Sequence, residues 1–203
     1  MLQKDRPALV LASASVTRLT LLRAAGLRVE ARPAHVDEDA IKAAGRADGA
    51  APEDVALLLA ELKAARIGAR YPDALVIGAD QLLVCEGRSF DKPESVAGAR
   101  EQLLALRGRT HTLVTAVLCW QGGARIWQHV SRPVLTMRRF SEAALEAYLE
   151  AEQDSVTASV GAYRLEGPGV QLFDRVEGDH FSVLGLPVLE LLGFLRQHGV
   201  LAA

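Results

Sequence analysis

The sequence has few of the residues that build disulfide frameworks or zinc sites. Its 2 cysteines, Cys85 and Cys119, both lie in apolar, strand-like segments. Its 5 histidines are scattered, and no pair of them has the spacing of zinc ligands. We therefore expect the cysteines to be buried as small hydrophobic residues, and we expect neither a disulfide-stapled nor a zinc-bound fold.

The chain also lacks an excess of charge of one sign and any long hydrophobic run. Its 23 Lys and Arg residues oppose 25 Asp and Glu residues, which gives a net charge of −2. Proteins that bind nucleic-acid polymers usually carry a clear basic surplus, so such a partner is not expected. No apolar segment approaches the roughly 20 residues of a membrane span, and the N-terminal segment lacks a signal-peptide h-region. These absences predict a cytoplasmic protein without a membrane partner.

Motifs that bind phosphate groups in several large enzyme classes are missing too. The sequence has no Gly-x-x-x-x-Gly-Lys-Ser/Thr loop, no Gly-x-Gly-x-x-Gly after a strand and no Gly-x-Ser-x-Gly elbow. P-loop kinases, dinucleotide-dependent dehydrogenases and α/β-hydrolases therefore receive no support from the sequence.

The residues that are present favour one globular domain with a large core. The chain has 203 residues, of which 50% are hydrophobic and 24% are charged. Apolar strand-like runs at 8–12 and 74–78 alternate with helical patterns, and a long hairpin is expected to turn at Gly122 and Gly123. This alternation predicts an α/β or mixed α+β architecture with a mixed sheet.

Hydrophobic spacing predicts which faces of two helices are buried. After Pro52, the expected buried stripe consists of Val55, Leu58, Leu59 and Leu62. Lys63 would then lie away from the centre of that stripe. After Pro187, the expected stripe of the last helix consists of Leu189, Leu192 and Leu195. Residues 43–51 are small and polar, with two glycines, and are expected to form a loop.

Asp80 is the most informative single residue. It follows the apolar run 74–78, and α/β proteins bind ligands at the C-terminal ends of such strands. A carboxylate in that position can hold a metal ion or act as a general base. An Asx turn or a cap on a surface loop is the alternative interpretation.

Several charged and hydroxyl side chains could surround a phosphate group. Arg18 and Ser13 flank a predicted helix start with Ser15 as its N-cap, and helix N-termini favour anions. Lys92 precedes a proline that holds residues 91–92 extended, which suits a phosphate ligand. For these residues, and for Lys63 and Glu38, an ordinary solvent-exposed side chain is the alternative.

The order of short motifs along the chain is more specific than any one residue. The motifs are Leu11-Ala12-Ser13-Ala14-Ser15-Val16-Thr17-Arg18, Val36-Asp37-Glu38, Leu59-Ala60-Glu61-Leu62-Lys63-Ala64, Gly78-Ala79-Asp80-Gln81, Lys92-Pro93, Arg107-Gly108-Arg109-Thr110-His111, Glu177-Gly178 and Leu184-Gly185-Leu186-Pro187. In this order they resemble the Maf family of nucleoside triphosphate pyrophosphatases over nearly the whole chain. Val16 and Asp91 depart from the family pattern, which has Pro and usually Gly there.

The resemblance implies a fold, an activity and a set of roles. The fold would be a single Maf-like domain over residues 1–203, with two lobes around a central cleft, similar to the inosine-triphosphate pyrophosphatases. The activity would be hydrolysis of a nucleoside triphosphate to the monophosphate and pyrophosphate, with Mg²⁺ or Mn²⁺ as cofactor and often with a homodimer as the assembly. Asp80 would be the catalytic proton acceptor, and Glu38 would join it as a metal ligand. The triphosphate would be held by Ser13, Ser15, Arg18, Lys63 and Lys92.

Three positions bear on which base the substrate carries. Gln81 and Glu166 are similar to the family branch that hydrolyses 7-methyl-GTP, whereas the uridine and thymidine branch has Thr and Gln at those positions. A carboxylate accepts hydrogen bonds from the N1–H and N2–H₂ groups of guanine, and it favours a base made cationic by N7 methylation. Thr17 matches neither branch, since the methylguanine branch has Trp there and the pyrimidine branch has Arg.

Two other interpretations stay open at the level of sequence. The chain could be a nucleotide-binding regulator of cell division and septum formation with little catalysis, because the family name is linked with septum inhibition. It could also be an α/β protein whose charged motifs are surface features. Pyrophosphate release in the presence of Mg²⁺ separates the first interpretation from an enzyme.

Overall fold

The computed structural model describes residues 3–202 and has a mixed α/β fold, as expected. The strands are β1 (Leu9–Leu11), β2 (Val29–Ala31), β3 (Leu75–Cys85), β4 (Arg88–Phe90), β5 (Thr110–Gln121), β6 (Ala124–Ser131), β7 (Val134–Met137) and β8 (Phe173–Glu177). The helices are α1 (Val16–Ala24), α2 (Glu38–Ala47), α3 (Pro52–Gly68), α4 (Val96–Leu106), α5 (Glu142–Glu152), α6 (His180–Val183) and α7 (Val188–Gln197). Short 3₁₀ turns lie at Gln153–Thr157, Val160–Ala162 and Pro168–Leu172.

The strands form one mixed sheet in the order β2-β1-β3-β5-β7-β8, with β4 paired to β3 and β6 paired to β5. Strand β1 is parallel to both β2 and β3. The pairs β3–β4, β5–β6, β5–β7 and β7–β8 are antiparallel. The hairpin turns where expected, because Gly122 and Gly123 have φ values of 58° and 83° that L-residues adopt rarely.

The described chain divides into two compact units. Unit 1 contains the described residues up to Asp80, the segment Thr115–Ser131 and the residues from His180 onward. Unit 2 contains Gln81–Val114 and Arg132–Asp179. A single domain of residues 1–203, with two lobes around a cleft, stays a prediction. Residues 1, 2 and 203 lie outside the described part of the chain.

The core of unit 1 lies between the parallel strands and helices α1 and α7. Both cysteines are free and buried, as expected. In the stripe predicted for the last helix, Leu195 is buried and Leu192 is partly buried against the core, whereas Leu189 was wrong, since it is 56% exposed. The buried residues of α7 are Val188, Leu191, Phe194 and Leu195. Both stripes have helical spacing, and the buried entry through Leu186 and Pro187 selects the one that faces the core. Among the described residues, none of the helices is long and apolar enough to cross a membrane.

Helix α2 extends into the segment that was expected to be a loop. Its N-terminus is specified locally, because the Asp37 side chain accepts a hydrogen bond from the backbone N–H of Ala40 at 3.1 Å. Gly45 lies inside the helix and does not break it. A Cβ at Gly45 would be 2.6 Å from a methyl group of Val55, so this glycine lets α2 lie against α3.

Of the stripe predicted for helix α3, Val55 and Leu59 are buried as expected, whereas the other two residues are not. Leu58 and Leu62 are 47% and 38% exposed. Its buried residues are Val55, Ala56, Leu59, Ala60, Lys63, Ala64 and Ile67. A Cβ on Gly78 of β3 would lie 2.2 Å from the Ala60 carbonyl oxygen and 2.9 Å from the Ala64 Cβ. Because small residues meet here, the helix backbone lies directly on the strand and Lys63 belongs to the buried face.

We expect Gly78→Ala to lower the free energy of unfolding by about 2 kcal/mol, since a backbone carbonyl must move to admit the added methyl group. Denaturant unfolding followed by circular dichroism measures this change. Gly98→Ala in α4 is the matched control, because its Cβ would meet only ordinary contacts of 3.5 Å and 3.7 Å. Equal stability of Gly78→Ala and the wild type would contradict the close approach of α3 to β3.

Candidate functional site

Asp80 lies within a strand and does not end one, which corrects the sequence prediction. Strand β3 continues through Asp80 to Cys85. Its parallel pairing with β1 ends at Ile77, and its antiparallel pairing with β4 begins at Leu83. Asp80 therefore lies beyond the C-terminal end of the β1–β3 pair, and its side chain is only 7% exposed. The apolar residues on both sides of it extend the strand past the parallel ladder.

Lys63 joins the two carboxylates that the sequence singled out. Its Nζ lies 2.6 Å from Oδ1 of Asp80 and 2.6 Å from Oε1 of Glu38. The Lys63 side chain is 8% exposed, whereas that of Glu38 is 40% exposed. A buried ammonium between two carboxylates makes charge-assisted hydrogen bonds to both. The three residues therefore form one cluster with a formal charge of −1, which we call the acidic pair and its lysine.

Two helices set the geometry of this cluster. The close approach of α3 to β3 at Gly78 places Lys63 next to Asp80. Glu38 comes from the first turn of α2, whose Asp37 cap fixes the start of that helix. Lys42, one turn further along α2, has its Nζ 3.9 Å from Oε2 of Glu38. The Glu38 carboxylate thus lies between two lysines.

Arg18 is used to hold the backbone around Asp80. Its Nε donates to the Gly185 carbonyl at 2.8 Å, and its Nη1 donates to the Ala79 carbonyl at 3.0 Å. Burial lowers the pKa of the Arg18 guanidinium, while the charges of Asp80 and Glu38 act in the opposite direction. Arg18 therefore ties α1 to the peptide that precedes Asp80, and it lies within electrostatic reach of the acidic pair.

The two serines shape the turn before α1, as the sequence predicted for Ser15. Ser15 is the N-cap, and its Oγ accepts from the backbone N–H of Arg18 at 3.3 Å. The Oγ of Ser13 accepts from the backbone N–H of Ser15 at 3.2 Å and from Nη1 of Arg18 at 3.3 Å. Thr17 follows in the first turn of the helix. The Ser13–Arg18 segment is a compact turn directly beside the end of β1.

The other candidates belong to unit 2 and lie on three different segments. Gln81 is the residue after Asp80 on β3. Lys92 is exposed in the connection between β4 and α4, where the Asp91 carbonyl accepts from Nε2 of Gln102 at 2.8 Å. Glu166 follows the 3₁₀ turn Val160–Ala162, and its Oε1 lies 3.7 Å from Nε of Arg164.

The residues of unit 1 fit a divalent cation that also binds phosphate. No group of three or more His, Cys, Asp and Glu side chains within residues 3–202 could hold a metal ion by itself. Mg²⁺, however, is usually bound through one or two carboxylates together with substrate phosphates and water. Asp80 and Glu38 are two such carboxylates, held at the same distance from one ammonium. Their oxygen chemistry suits Mg²⁺ or Mn²⁺.

Sequence reasoning missed the structural roles of two glycines, Gly78 and Gly185, the second of which lies in the late Leu184–Pro187 motif. Gly78 was part of a motif, but only its contact with Ala60 shows why a side chain is excluded there. Gly185 has a φ of 100°, and its carbonyl receives Nε of Arg18. In both cases the available signal was a glycine inside one of the short motifs. The hydrogen bond between Arg18 and Gly185 joins residues 167 positions apart, so the spacing of neighbouring residues could not predict it.

Known proteins similar to this chain support the family resemblance that the order of the motifs indicated. The family model described as Maf-like protein matches residues 8–198. A protein of Granulibacter bethesdensis named nucleoside triphosphate pyrophosphatase is 58% identical over 95% of this chain and 98% of its own length. A protein of Rhizobium etli named 7-methyl-GTP pyrophosphatase is 46% identical over 96% of this chain and 98% of its own.

Among solved structures, a nucleoside-triphosphatase named dITP/XTP pyrophosphatase from Mycobacterium abscessus is 20% identical. It matches 66% of this chain and 76% of its own with a TM-score of 0.38. The family model covers most of the chain, and relatives at 58% and 46% identity cover it almost end to end. The chain therefore belongs to the Maf-like protein family.

Proposed function

We propose that this chain hydrolyses nucleoside triphosphates to the monophosphate and pyrophosphate, and that 7-methyl-GTP is among its substrates. The observation that carries the proposal is the buried Lys63 ammonium 2.6 Å from both Asp80 and Glu38. Such a cluster supplies a general base, oxygen ligands and a cation in one place, as phosphoryl transfer requires. The names of the similar Maf-like proteins support the same reaction.

Asp80 would act on the attacking water. Attack at the α-phosphorus needs a carboxylate that orients the water and accepts its proton. Asp80 is held in place by Nζ of Lys63 on one side and by the Arg18 bond to the Ala79 carbonyl on the other. A positioned base of this kind contributes about 10²- to 10⁴-fold to the rate.

Lys63 would keep two carboxylates compatible with a polyanionic substrate. Two carboxylates that lie close together repel each other, and both repel phosphate, unless a cation lies between them. The Lys63 ammonium supplies that cation in the absence of substrate. Asp80 and Glu38 would hold Mg²⁺ or Mn²⁺, which when bound neutralises charge on the phosphate oxygens.

The remaining cations would bind the triphosphate. Arg18 and Ser13 lie at the start of α1, where the backbone N–H groups and the helix dipole favour an anion. Lys92 is an exposed ammonium in unit 2 and would contact the pyrophosphate that leaves. These roles, together with that of Ser15 as the N-cap of α1, rest on the family resemblance and on the chemistry of the side chains.

Base recognition would involve Glu166, Gln81 and Thr17. The Glu166 carboxylate can accept two hydrogen bonds from guanine and is attracted to the positive charge of a methylated base. The Rhizobium etli relative named for 7-methyl-GTP supports this choice at 46% identity. A small Thr17 leaves no aromatic platform for stacking, so the carboxylate would carry the discrimination.

A pyrophosphate-release screen tests the proposed function directly. The panel holds the canonical nucleoside triphosphates together with 7-methyl-GTP, dTTP and 5-methyl-UTP, each with Mg²⁺ and with Mn²⁺. We expect release from at least one member, with 7-methyl-GTP turned over faster than GTP. Nucleotide binding without release from any member would point instead to a nucleotide-binding regulator.

We expect Glu166→Gln to lower the kcat/KM ratio of 7-methyl-GTP to UTP by about tenfold, because loss of one hydrogen bond to a charged group costs roughly 1.5 kcal/mol. The ratio is measured by pyrophosphate release with both substrates. Glu150→Gln on α5 is the control, since it removes one exposed carboxylate of unit 2 that has no assigned role. A ratio that stays the same would remove Glu166 from base recognition.

A homodimer and a cytoplasmic location stay predictions of the sequence.

A further inference from the structure

A buried histidine and tyrosine lie under the segment that carries Glu166. Nε2 of His111 and the hydroxyl of Tyr163 are 2.7 Å apart, and both residues are buried. His111 comes from β5, whereas Tyr163 belongs to residues 158–169, which we call the glutamate loop. Phe173 completes the cluster, with ring centroids 4.7 Å from Tyr163 and 5.9 Å from His111. All three residues belong to unit 2.

The hydrogen bond to Tyr163 sets the orientation of the imidazole. Within the described residues, Nδ1 of His111 is buried without a hydrogen-bond partner. Burial lowers the pKa of His111 to about 4, so the ring is neutral at neutral pH. A buried imidazole with one unsatisfied nitrogen lowers the stability of the fold. Its presence is therefore explained best by a role for the hydrogen bond that the other nitrogen makes. Packing of an apolar side chain would fill the same space without that cost.

The glutamate loop contains one residue, Ala162, in a backbone conformation that it does not favour. Ala162 has a φ of 59°, which side-chain-bearing residues adopt rarely, and Gly161 before it has a φ of 79°. The Ala162 carbonyl accepts from the Tyr148 hydroxyl at 3.1 Å. Tyr163 follows at once, and its carbonyl accepts from Oγ of Ser159 at 2.6 Å. The strained Ala162 is therefore held by hydrogen bonds at its own carbonyl and at the carbonyl of Tyr163.

Arg164, the residue after Tyr163, connects the His111–Tyr163 pair to Glu166. Arg164 follows Tyr163, and its Nη1 lies 3.3 Å from Oε2 of the buried Glu152. Nε of the same guanidinium lies 3.7 Å from Oε1 of Glu166. A Cβ at Gly169 would be 2.4 Å from the Arg164 carbonyl, so the far end of the loop folds back onto the same residue. Tyr163 is thereby connected to Glu166 through Arg164.

We propose that His111 is a positioning residue for base selectivity: through Tyr163 it holds the glutamate loop in the shape that presents Glu166. The inference rests on the proposed function for the role of Glu166. His111 touches neither the substrate nor the reacting atoms. Its effect is on the placement of a recognition carboxylate, and small displacements of such groups change catalytic parameters strongly.

Tyr163→Phe tests the proposal by removing one hydroxyl and leaving the ring. We expect the kcat/KM ratio between the two best substrates of the panel to fall by about five- to tenfold. The change should appear in KM of the preferred substrate, with kcat of the poorer one preserved. In a Glu166→Gln background, Tyr163→Phe should leave the ratio unchanged, because the two residues act on one recognition event.

The double variant His111→Phe, Tyr163→Phe separates positioning from stability. Replacing both hydrogen-bonding partners by apolar rings is nearly neutral for folding, so we expect a wild-type melting temperature. The selectivity ratio should nevertheless stay at the value of the single variant. Thr110→Val is the matched control, since it removes the 3.0 Å hydrogen bond to Thr136 beside His111 without reaching the loop.

Hydrogen–deuterium exchange gives a readout that needs no substrate. Peptides covering residues 158–169 should exchange faster in Tyr163→Phe than in the wild type or in Thr110→Val. Unchanged selectivity and unchanged loop exchange in both variants would overturn the inference and leave the proposed function intact. A wild type that neither hydrolyses nor binds any triphosphate, with faster loop exchange in the variants, would overturn the proposed function and reduce His111 to a structural role.

Discussion

Asp80→Asn is expected to lower kcat for pyrophosphate release by about a thousandfold while the protein stays folded. Asparagine has the same shape and keeps an oxygen that can accept from Nζ of Lys63. It cannot take a proton from water at neutral pH, so the proposed general base is lost. The Lys63 ammonium keeps its 2.6 Å contact with Glu38 after this change, so it stays paired and the protein stays folded.

The control for this variant is Asp39→Asn. Asp39 follows Glu38 in the first turn of α2 and is exposed, so the substitution makes the same chemical change near the cluster. We expect its turnover to stay within about twofold of the wild type, as for most surface substitutions that meet no special feature. Near-normal turnover in Asp80→Asn would show that the proton acceptor is another group.

Lys63→Met is expected to reduce both stability and activity. The substitution leaves Asp80 and Glu38 without the ammonium that lies 2.6 Å from each. Breaking a buried ion pair by removing one partner costs about 3 kcal/mol, because a buried charge stays uncompensated. For a chain of this length that loss corresponds to a melting temperature lower by roughly 10 °C, which differential scanning calorimetry measures.

A second substitution identifies the source of that loss. Adding Asp80→Asn to Lys63→Met removes the uncompensated charge, so we expect most of the stability to return while turnover stays low. The coupling free energy between the two sites should exceed about 1 kcal/mol. Lys42→Met serves as the control, since it removes an ammonium whose Nζ is 3.9 Å from Oε2 of Glu38, farther than the 2.6 Å that separates Lys63 from Glu38. Additive effects of Lys63→Met and Asp80→Asn would contradict a shared buried pair.

The cluster also explains a feature of the composition. A net charge of −2 over the whole chain suggests no preference for anions or cations. Locally, Lys63 lies 2.6 Å from both Asp80 and Glu38, and the Arg18 guanidinium interacts electrostatically with both carboxylates. A nucleoside triphosphate that carries a divalent cation presents the same mixture of charges in a small volume. A balanced cluster suits such a ligand better than a uniformly basic surface does.

Local features of the fold could be predicted because their causes are local. Ser15 caps α1 where the sequence placed a helix start, since a cap needs only a hydroxyl and the next few backbone N–H groups. The turn at Gly122 and Gly123 needs only two residues that adopt positive φ. The buried cysteines likewise followed from the apolar runs around them.

Helix faces could not be predicted in the same way. On α3, large side chains pointed to Leu58 and Leu62 as core, yet both are substantially exposed. Beside Val55, Leu59 and Ile67, the buried face includes three alanines and Lys63, because Gly78 on a strand distant in sequence admits the helix backbone. Hydrophobic size alone carries no information about such a close approach.

The sequence by itself determined the mixed α/β class, the order of the motifs and hence the family to which the chain belongs. It also singled out Asp80, Glu38, Lys63 and Arg18 by residue type. Only the tertiary structure decided that Lys63 lies buried between the two carboxylates and that Arg18 holds the Ala79 and Gly185 carbonyls. These contacts join residues from separate strands and helices, and packing between those elements, not local spacing, determines where each charged group finds its partner.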